Sequence, residues 1–353
     1  MFWALLFAHC RTAPRCRLGF ASLPARRIRP PRQGVFMPQA AARHAPPDSL
    51  ARWTHAIDAR MDRLLPAPAH TAEGVCGAMR DSLLGPGKRL RPLLLLATGV
   101  ELGGEPEALL DAACALEMVH AASLTLDDLP CMDNAALRRG RPALHVRHGE
   151  DVAVLAAVGL LSGAFRCIAD SDRLPAAARA QMVVVLADSA GACGLVRGQF
   201  EDLRGQRVDA RALETLNELK TGVLFRAALS LAAIATGGQA RTVQGLSDCG
   251  NQIGLAFQLM DDLQDAQPDS QDLENTDRFN LIDALGPAAA HRRFHRHLRQ
   301  ARLLLTQHLP GDRLVGELLD RIEGHVPPRE EASAAVTSGS GRGIRAAPLA
   351  QPV

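Results

Sequence analysis

Apolar and small residues recur at helical spacing along most of the chain, in long Ala- and Leu-rich runs at 107–126, 150–170, 176–200, 211–236 and 241–265. Each run has the period of a helix with a wide apolar face, and the alternating β-branched segments that make half-buried strands are nearly absent. No repeating unit suggests a solenoid. The pattern therefore predicts an all-α protein, a single-domain helical bundle spanning residues 48–326. Both ends break the pattern. Residues 1–47 carry eight arginines and no acidic residue, behind an apolar start, FWALLFA, too short to cross a bilayer. They read as a basic disordered extension, or as sequence upstream of a natural start at Met37, with an organelle transit peptide as the competing reading. From 327 to 353 the chain turns to Gly, Ser, Ala and Pro, which predicts a disordered tail.

Composition narrows the function classes. A hydrophobic content of 47% over 353 residues supports a large core, and a formal charge of +2 argues against a nucleic-acid partner. No zinc-ligand spacing, P-loop or GxGxxG fingerprint is present. Eight scattered cysteines without CxxC pairs read as reduced core residues, which points to the cytoplasm unless residues 1–47 direct the chain to a plastid or another organelle. Nothing predicts a stable membrane span.

The candidate chemistry is concentrated in HAASLTLDDLPCMDNAALRRGRPALH, residues 120–145. An apolar helix delivers Asp127, Asp128 and Asp133 to its end, just ahead of Arg138 and Arg139. Like charges held together unpaired are costly, so a shared divalent cation is the economical explanation, and oxygen-only ligands suit Mg²⁺. The arginine pair beside it suits a phosphate or diphosphate. Far downstream, FQLMDDLQD places Asp261 and Asp265 four apart on a second helix, with Asp262 about 100° away around it. One such cluster alone reads as a solvated helix face; two, each closing an apolar helix, point to a site. Against 38 arginines the chain has only two lysines, Lys88 and Lys220. Lys88 stands in GPGKRLRP with Arg91 three residues on, and Lys220 stands beside Thr221 in LKTG. Either they remain by chance, or both positions need a compact ammonium that meets a phosphate as a point charge.

These stretches carry a resemblance. PGKRLRPLLLL, ASLTLDDLPCMDNAALRRGRPALH, GEDVAVLAAVGLLSGAF, GLVRGQFEDL, LKTGVLF and AFQLMDDLQD are similar, in order and over roughly residues 50–325, to the short-chain trans-isoprenyl diphosphate synthases, most nearly the bacterial geranylgeranyl diphosphate synthases. The resemblance implies an isoprenoid-synthase helical bundle with a central cavity, acting as a homodimer. It implies Mg²⁺-dependent condensation of isopentenyl diphosphate with dimethylallyl, geranyl or farnesyl diphosphate, mainly to C20, for terpenoid and carotenoid synthesis. On matching positions, Asp127, Asp128, Asp133, Asp261 and Asp265 hold Mg²⁺ on the allylic diphosphate, which Arg138, Lys220 and Gln258 also contact. Lys88, Arg91, His120 and Arg139 hold isopentenyl diphosphate, Thr221 lies near the reacting carbons, and Ala122 and Ser123 set chain length. Gln199 and Asp202 read as supporting or packing groups. Relatives usually carry a lysine after the second aspartate motif, where this chain has QPDSQDLENTDRFNLIDALG and only Arg278 as a substitute. The alternatives are a farnesyl or geranyl diphosphate synthase, a weakly active or non-catalytic partner subunit of another prenyltransferase, and a class I terpene cyclase.

Overall fold

In the computed structural model, which describes residues 49–66, 73–204, 209–266 and 281–327, the apolar runs become helices. The N-terminal extension with Met37, nearly all of the tail and the segment bearing Arg278 lie outside the described residues. The helices are α1 (Ser49–Leu64), α2 (Glu73–Leu83), α3 (Leu90–Glu101), α4 (Pro106–Asp127), α5 (Leu144–His148), α6 (Glu150–Ala169), α7 (Ala176–Ala190), α8 (Leu195–Arg204), α9 (Ala210–Asn217), α10 (Val223–Ala235), α11 (Ala240–Asp265), α12 (Leu281–Leu285), α13 (Pro287–His308) and α14 (Arg313–Gly324). Two runs depart from the simple reading. The stretch 176–200 breaks between α7 and α8, where the glycines Gly191 and Gly194 weaken helix propensity. The stretch 211–236 stays helical, but Glu218–Gly222 between α9 and α10 is a π-turn.

Burial follows from apolar content. Helix α10 is apolar nearly all round, and of its residues only Arg226 and Ala235 are not buried. A helix with no polar face belongs at the centre, and α10 packs against α3, α4, α7 and α11. Helix α4, likewise buried on most sides, packs against α3 and α6, while α11 packs against α10 and α13. The two helices that end in aspartates thus both pack against α10. The only sheet among the described residues is a hairpin of two-residue strands, β1 (Leu137–Arg138) and β2 (Arg141–Pro142). Its turn residues, Arg139 and Gly140, have φ of 53° and 72°, the paired positive values of a type I′ turn.

Two carboxylates, Glu117 buried and Glu101 half-buried, tie the bundle together. Glu117 on α4 meets Arg89 at 3.1 Å, with side-chain exposures of 6% and 5%. The same guanidinium donates to Asp58 on α1 and to the Gly85 carbonyl, so one residue joins three segments. Glu101, the last residue of α3, accepts the Leu314 N–H at 2.5 Å and the Val315 N–H at 3.4 Å, so it caps α14 from a distance. Burial nevertheless pushes its carboxyl up to about 7.

Arg89→Ala strands Glu117 as a buried charge and is expected to destabilise the fold by roughly 3 kcal/mol or more. Asp58→Ala, which removes a half-exposed partner of the same arginine, is expected to cost about 1 kcal/mol or less. Urea unfolding of both variants checks the ranking. Glu101 binds its proton more tightly in the folded chain than in the unfolded one. Its contribution to stability is therefore full below about pH 4.5 and is lost as pH rises through about 7. Glu101→Gln, which keeps an acceptor for Leu314, is expected to melt higher than the parent at pH 8 and alike at pH 4.5.

Candidate active site

The first acidic group is made by the end of α4 and the loop after it. The loop turns back on the helix end, with the Asp133 N–H donating to the Asp127 carbonyl at 2.9 Å and the Ala135 N–H to the Asp128 carbonyl at 3.2 Å. Asn134 takes a φ of 51° to close this turn. The residues inserted between the aspartates thus bring Asp133 beside Asp127. Burial pushes the Asp127 carboxyl up to about 6; Lys220 and Arg138 pull it down, and Asp133 and Asp128 add to the rise. Asp128 stands apart. Adjacent helical residues point about 100° from each other, and its carboxylate, 2% exposed, accepts from Arg138 Nε at 3.0 Å. Asp127 and Asp133 thus lie together at the helix end, while Asp128 is paired with Arg138. Asp128, Arg138 and Arg139 line a separate recess with Asp81, Pro86 and Leu124.

The second acidic group closes α11. Burial pushes Asp261 up to about 7; Lys88 and Arg91 oppose the shift and Asp265 and Asp262 add to it. Asp262, offset around the helix, is buried and accepts from Gln258 Nε2 at 2.9 Å. Gln258 Oε1 in turn accepts from Thr221 Oγ1 at 2.8 Å. Lys220 Nζ donates to Asp202 at 2.5 Å, and Gln199 Nε2 to Asp133 at 3.3 Å. Helix α8 therefore serves both the lysine and the first acidic group through GQFEDL.

The cationic side is built on the Gly-Pro-Gly turn before α3. Arg139 Nη1 donates to the Pro86 carbonyl at 2.5 Å. A Cβ on Gly87 would stand 2.9 Å from Arg139 Nη1 and 3.0 Å from Arg89 Nη1, so a side chain there would displace one or both guanidiniums. Arg91 lies 4.8 Å from the Phe225 ring centroid and 5.9 Å from that of Phe257, and its Nη1 is 3.3 Å from His120 Nε2. Burial lowers the affinity of Arg91 for its proton, and burial together with Arg91 holds His120 well below the usual imidazole range, hence neutral. Glu117 offsets this at both Arg91 and Arg139, with Asp261 also acting on Arg91 and Asp128 on Arg139. Lys88 is exposed at the edge, within electrostatic reach of Asp261. Arg91 thus lies with His120 and Arg139, while Lys88 reaches Asp261 from the edge.

Four residues of this site were missed by sequence reasoning: Arg89, Glu117, Phe225 and Phe257. Arg89 was indistinguishable from its neighbours in GKRLRP. Glu117, a lone acid in an otherwise apolar stretch three residues before His120, did carry a signal. Of the two positions assigned to chain length, Ala122 has no exposed surface, while Ser123, on the His120–Asp127 side of α4, is half-buried and donates to the His120 carbonyl at 2.9 Å. Arg278 lies outside the described residues.

A sequence model of the polyprenyl synthetase family matches residues 73–277. The chain is 44% identical over 272 residues to a geranylgeranyl diphosphate synthase of Pantoea ananas, covering 75% of this chain and 88% of that one. It is 42% identical over 275 residues to another from Pseudescherichia vulneris, covering 76% and 89%. Among solved structures, an FPP/GFPP synthase from Zymomonas mobilis superposes with a TM-score of 0.70 at 32% identity, covering 77% of this chain and 98% of that one. With the family's sequence pattern running through both acidic groups and its all-α fold matched along the bundle, the chain belongs to the polyprenyl synthetase family.

Proposed function

We propose that this protein is a geranylgeranyl diphosphate synthase, a trans-prenyltransferase that adds isopentenyl diphosphate to allylic diphosphates and makes mainly the C20 product. One observation carries the reading. Acidic groups close α4 and α11, and a partly buried cationic group of Arg91, His120 and Arg139 lies on α3, α4 and the hairpin, with Lys88 at its exposed edge, so the bundle offers two unlike anion subsites. A synthase that joins two diphosphates needs both; a terpene cyclase needs one. The name and high coverage of the Pantoea ananas relative support the same activity.

Mg²⁺ fits the donor set. Asp127, Asp133, Asp261 and Asp265 offer only oxygen, and among the described residues no three His, Cys, Asp or Glu side chains converge closely enough to hold an ion by themselves. A protein that supplies part of the shell and leaves the rest to water and phosphate is the usual Mg²⁺ arrangement. When bound, Mg²⁺ neutralises charge on the departing diphosphate. Lys220 and Arg138 are assigned to the allylic diphosphate, stabilising negative charge as the C–O bond breaks. Lys88, Arg91, His120 and Arg139 are assigned to isopentenyl diphosphate, and hold its double bond toward the allylic carbon. Attack forms the new C–C bond, and the proton then lost passes to the released diphosphate, so no dedicated side-chain base is required. Thr221, bonded to Gln258, which in turn donates to Asp262, is assigned to orient the reacting ends, and the apolar walls keep water from the cation. A homodimer is supported by the outer face of α6, where Val154, Leu155 and Val158 are 39%, 55% and 53% exposed. Helix α6 is also apolar and long enough to cross a membrane, but a second copy covers such a face equally well. Free cysteines, four of them buried, support a cytoplasmic location.

Purified protein with Mg²⁺, labelled isopentenyl diphosphate and each of dimethylallyl, geranyl and farnesyl diphosphate is expected to yield mainly C20; a main product of C10 or C15 would overturn the assignment, and no turnover would favour the partner-subunit reading. In the same assay Asp127→Ala and Asp261→Ala are expected to lose ~10²-fold or more in kcat while keeping the helical circular-dichroism spectrum. Near-parental rates in either would remove the metal assignment. Ser123→Phe places a ring one turn above Asp127, where overpacking by about 1–3 kcal/mol is expected to shift the main product to C15, read by product chromatography. Ala122→Phe is expected to do the same with a larger loss of melting temperature, because Ala122 is fully buried.

A further inference from the structure

The π-turn Glu218–Gly222 carries both Lys220 and Thr221, and it is the one departure from α geometry in the stretch 210–235. Single π-turns inside long helices are rare and gather at functional sites. This one is held by a single face of α11. A Cβ on Gly254 would stand 2.6 Å from Gly222 Cα, and one on Gly250 2.5 Å from the Phe225 carbonyl oxygen, so neither position tolerates a side chain while the turn keeps its place. Between them, Asn251 Nδ2 donates to Glu218 Oε1 at 3.1 Å, at the first residue of the turn. Its Oδ1 is buried without a hydrogen-bond partner among the described residues, and stands 2.9 Å from where a Cβ on Gly222, the last residue, would be. Asn251 therefore touches both ends of the turn. Gln258, two helical turns on along α11, receives Thr221.

We propose that Asn251 is a positioning residue: by clamping Glu218 and packing on Gly222 it holds the extra residue of the π-turn, and so sets the direction of Lys220 and Thr221. Downstream, α10 is locked in the core, and upstream, α9 is capped by Asp209. If the turn relaxed to α geometry, the misfit of about 100° per residue would fall on 218–222. Lys220 would then leave Asp202 and Asp127, or Thr221 would leave Gln258. The substrate side of this inference rests on the assignment of Lys220 to the allylic diphosphate.

The two lysines supply the test. Protein labelled with ¹⁵N-lysine gives one backbone amide signal from Lys220, in the turn, and one from Lys88, in the other subsite, as an internal control. Asn251→Leu is expected to move the Lys220 signal and leave that of Lys88 in place. It is also expected to raise KM for farnesyl diphosphate about tenfold, with KM for isopentenyl diphosphate within about twofold of the parent. Glu218→Gln, which keeps an acceptor oxygen, should behave as the parent, and Glu218→Leu as Asn251→Leu, with the double variant no worse than either. An unmoved Lys220 signal in Asn251→Leu, or both KM values rising together, would overturn the proposal. If the parent protein itself fails to join the two diphosphates, the functional reading falls, while the Lys220 signal still decides whether Asn251 holds the turn.

Discussion

Glu117 is the counter-ion on which the cationic half of the site depends. Four basic groups, Lys88, Arg89, Arg91 and Arg139, are gathered near one end of α3 and the hairpin, and burial lowers the affinity of Arg91 and Arg139 for their protons. Such a cluster is tolerated in a weakly polar interior only if a negative charge lies under it. Glu117 meets Arg89 directly and acts on the other two arginines through space. It does not neutralise them all, and that residue of positive charge is what a diphosphate would satisfy. The neutral His120 beside Arg91 adds a hydrogen-bonding group without adding repulsion.

The opposite half has the inverse problem. Asp127 and Asp261 are held above the usual carboxylate range, because burial and like-charged neighbours outweigh the lysine and arginines within reach. The bundle leaves a deficit of positive charge at the acidic groups and an excess at the basic one. Each imbalance is matched by one part of the proposed reaction: a divalent ion on the acidic side, a metal-free diphosphate on the basic side. Backbone strain is spent at the same places. Among the described residues the non-glycine positions with positive φ are Arg89, Asn134 and Arg139, and all three lie in or beside the two groups.

These features bear on the competing readings. A non-catalytic partner subunit has no need of two intact acidic groups that each meet a cation. A single-substrate cyclase has no need of the Arg91–His120–Arg139 group. Both subsites persist here, on a fold shared at 32% identity with an FPP/GFPP synthase, whose name shows that chain length varies within the same framework.

Much of this was legible in the residues. The all-α class, the limits of α4, α6 and α11, and the pairing of Lys88 with Arg91 on one face followed from helical period and spacing, because helices are local and i, i+3 and i+4 neighbours share a face. Adding His120 and Arg139 to that pair rested on the family resemblance. What the residues alone left undecided depends on contacts between segments far apart in the chain. The division of Asp127 from Asp128 required knowing that Arg138 returns on a hairpin to claim the latter. The roles of Asp202 and Gln199 required α8 to lie against the π-turn and the first acidic group. Arg89 and Glu117 are 28 residues apart in sequence and meet only because α3 packs on α4. The π-turn itself has no sequence signature: it exists because α11 presents Gly250, Asn251 and Gly254 to it, and a close approach between two helices is decided only when both are packed in place.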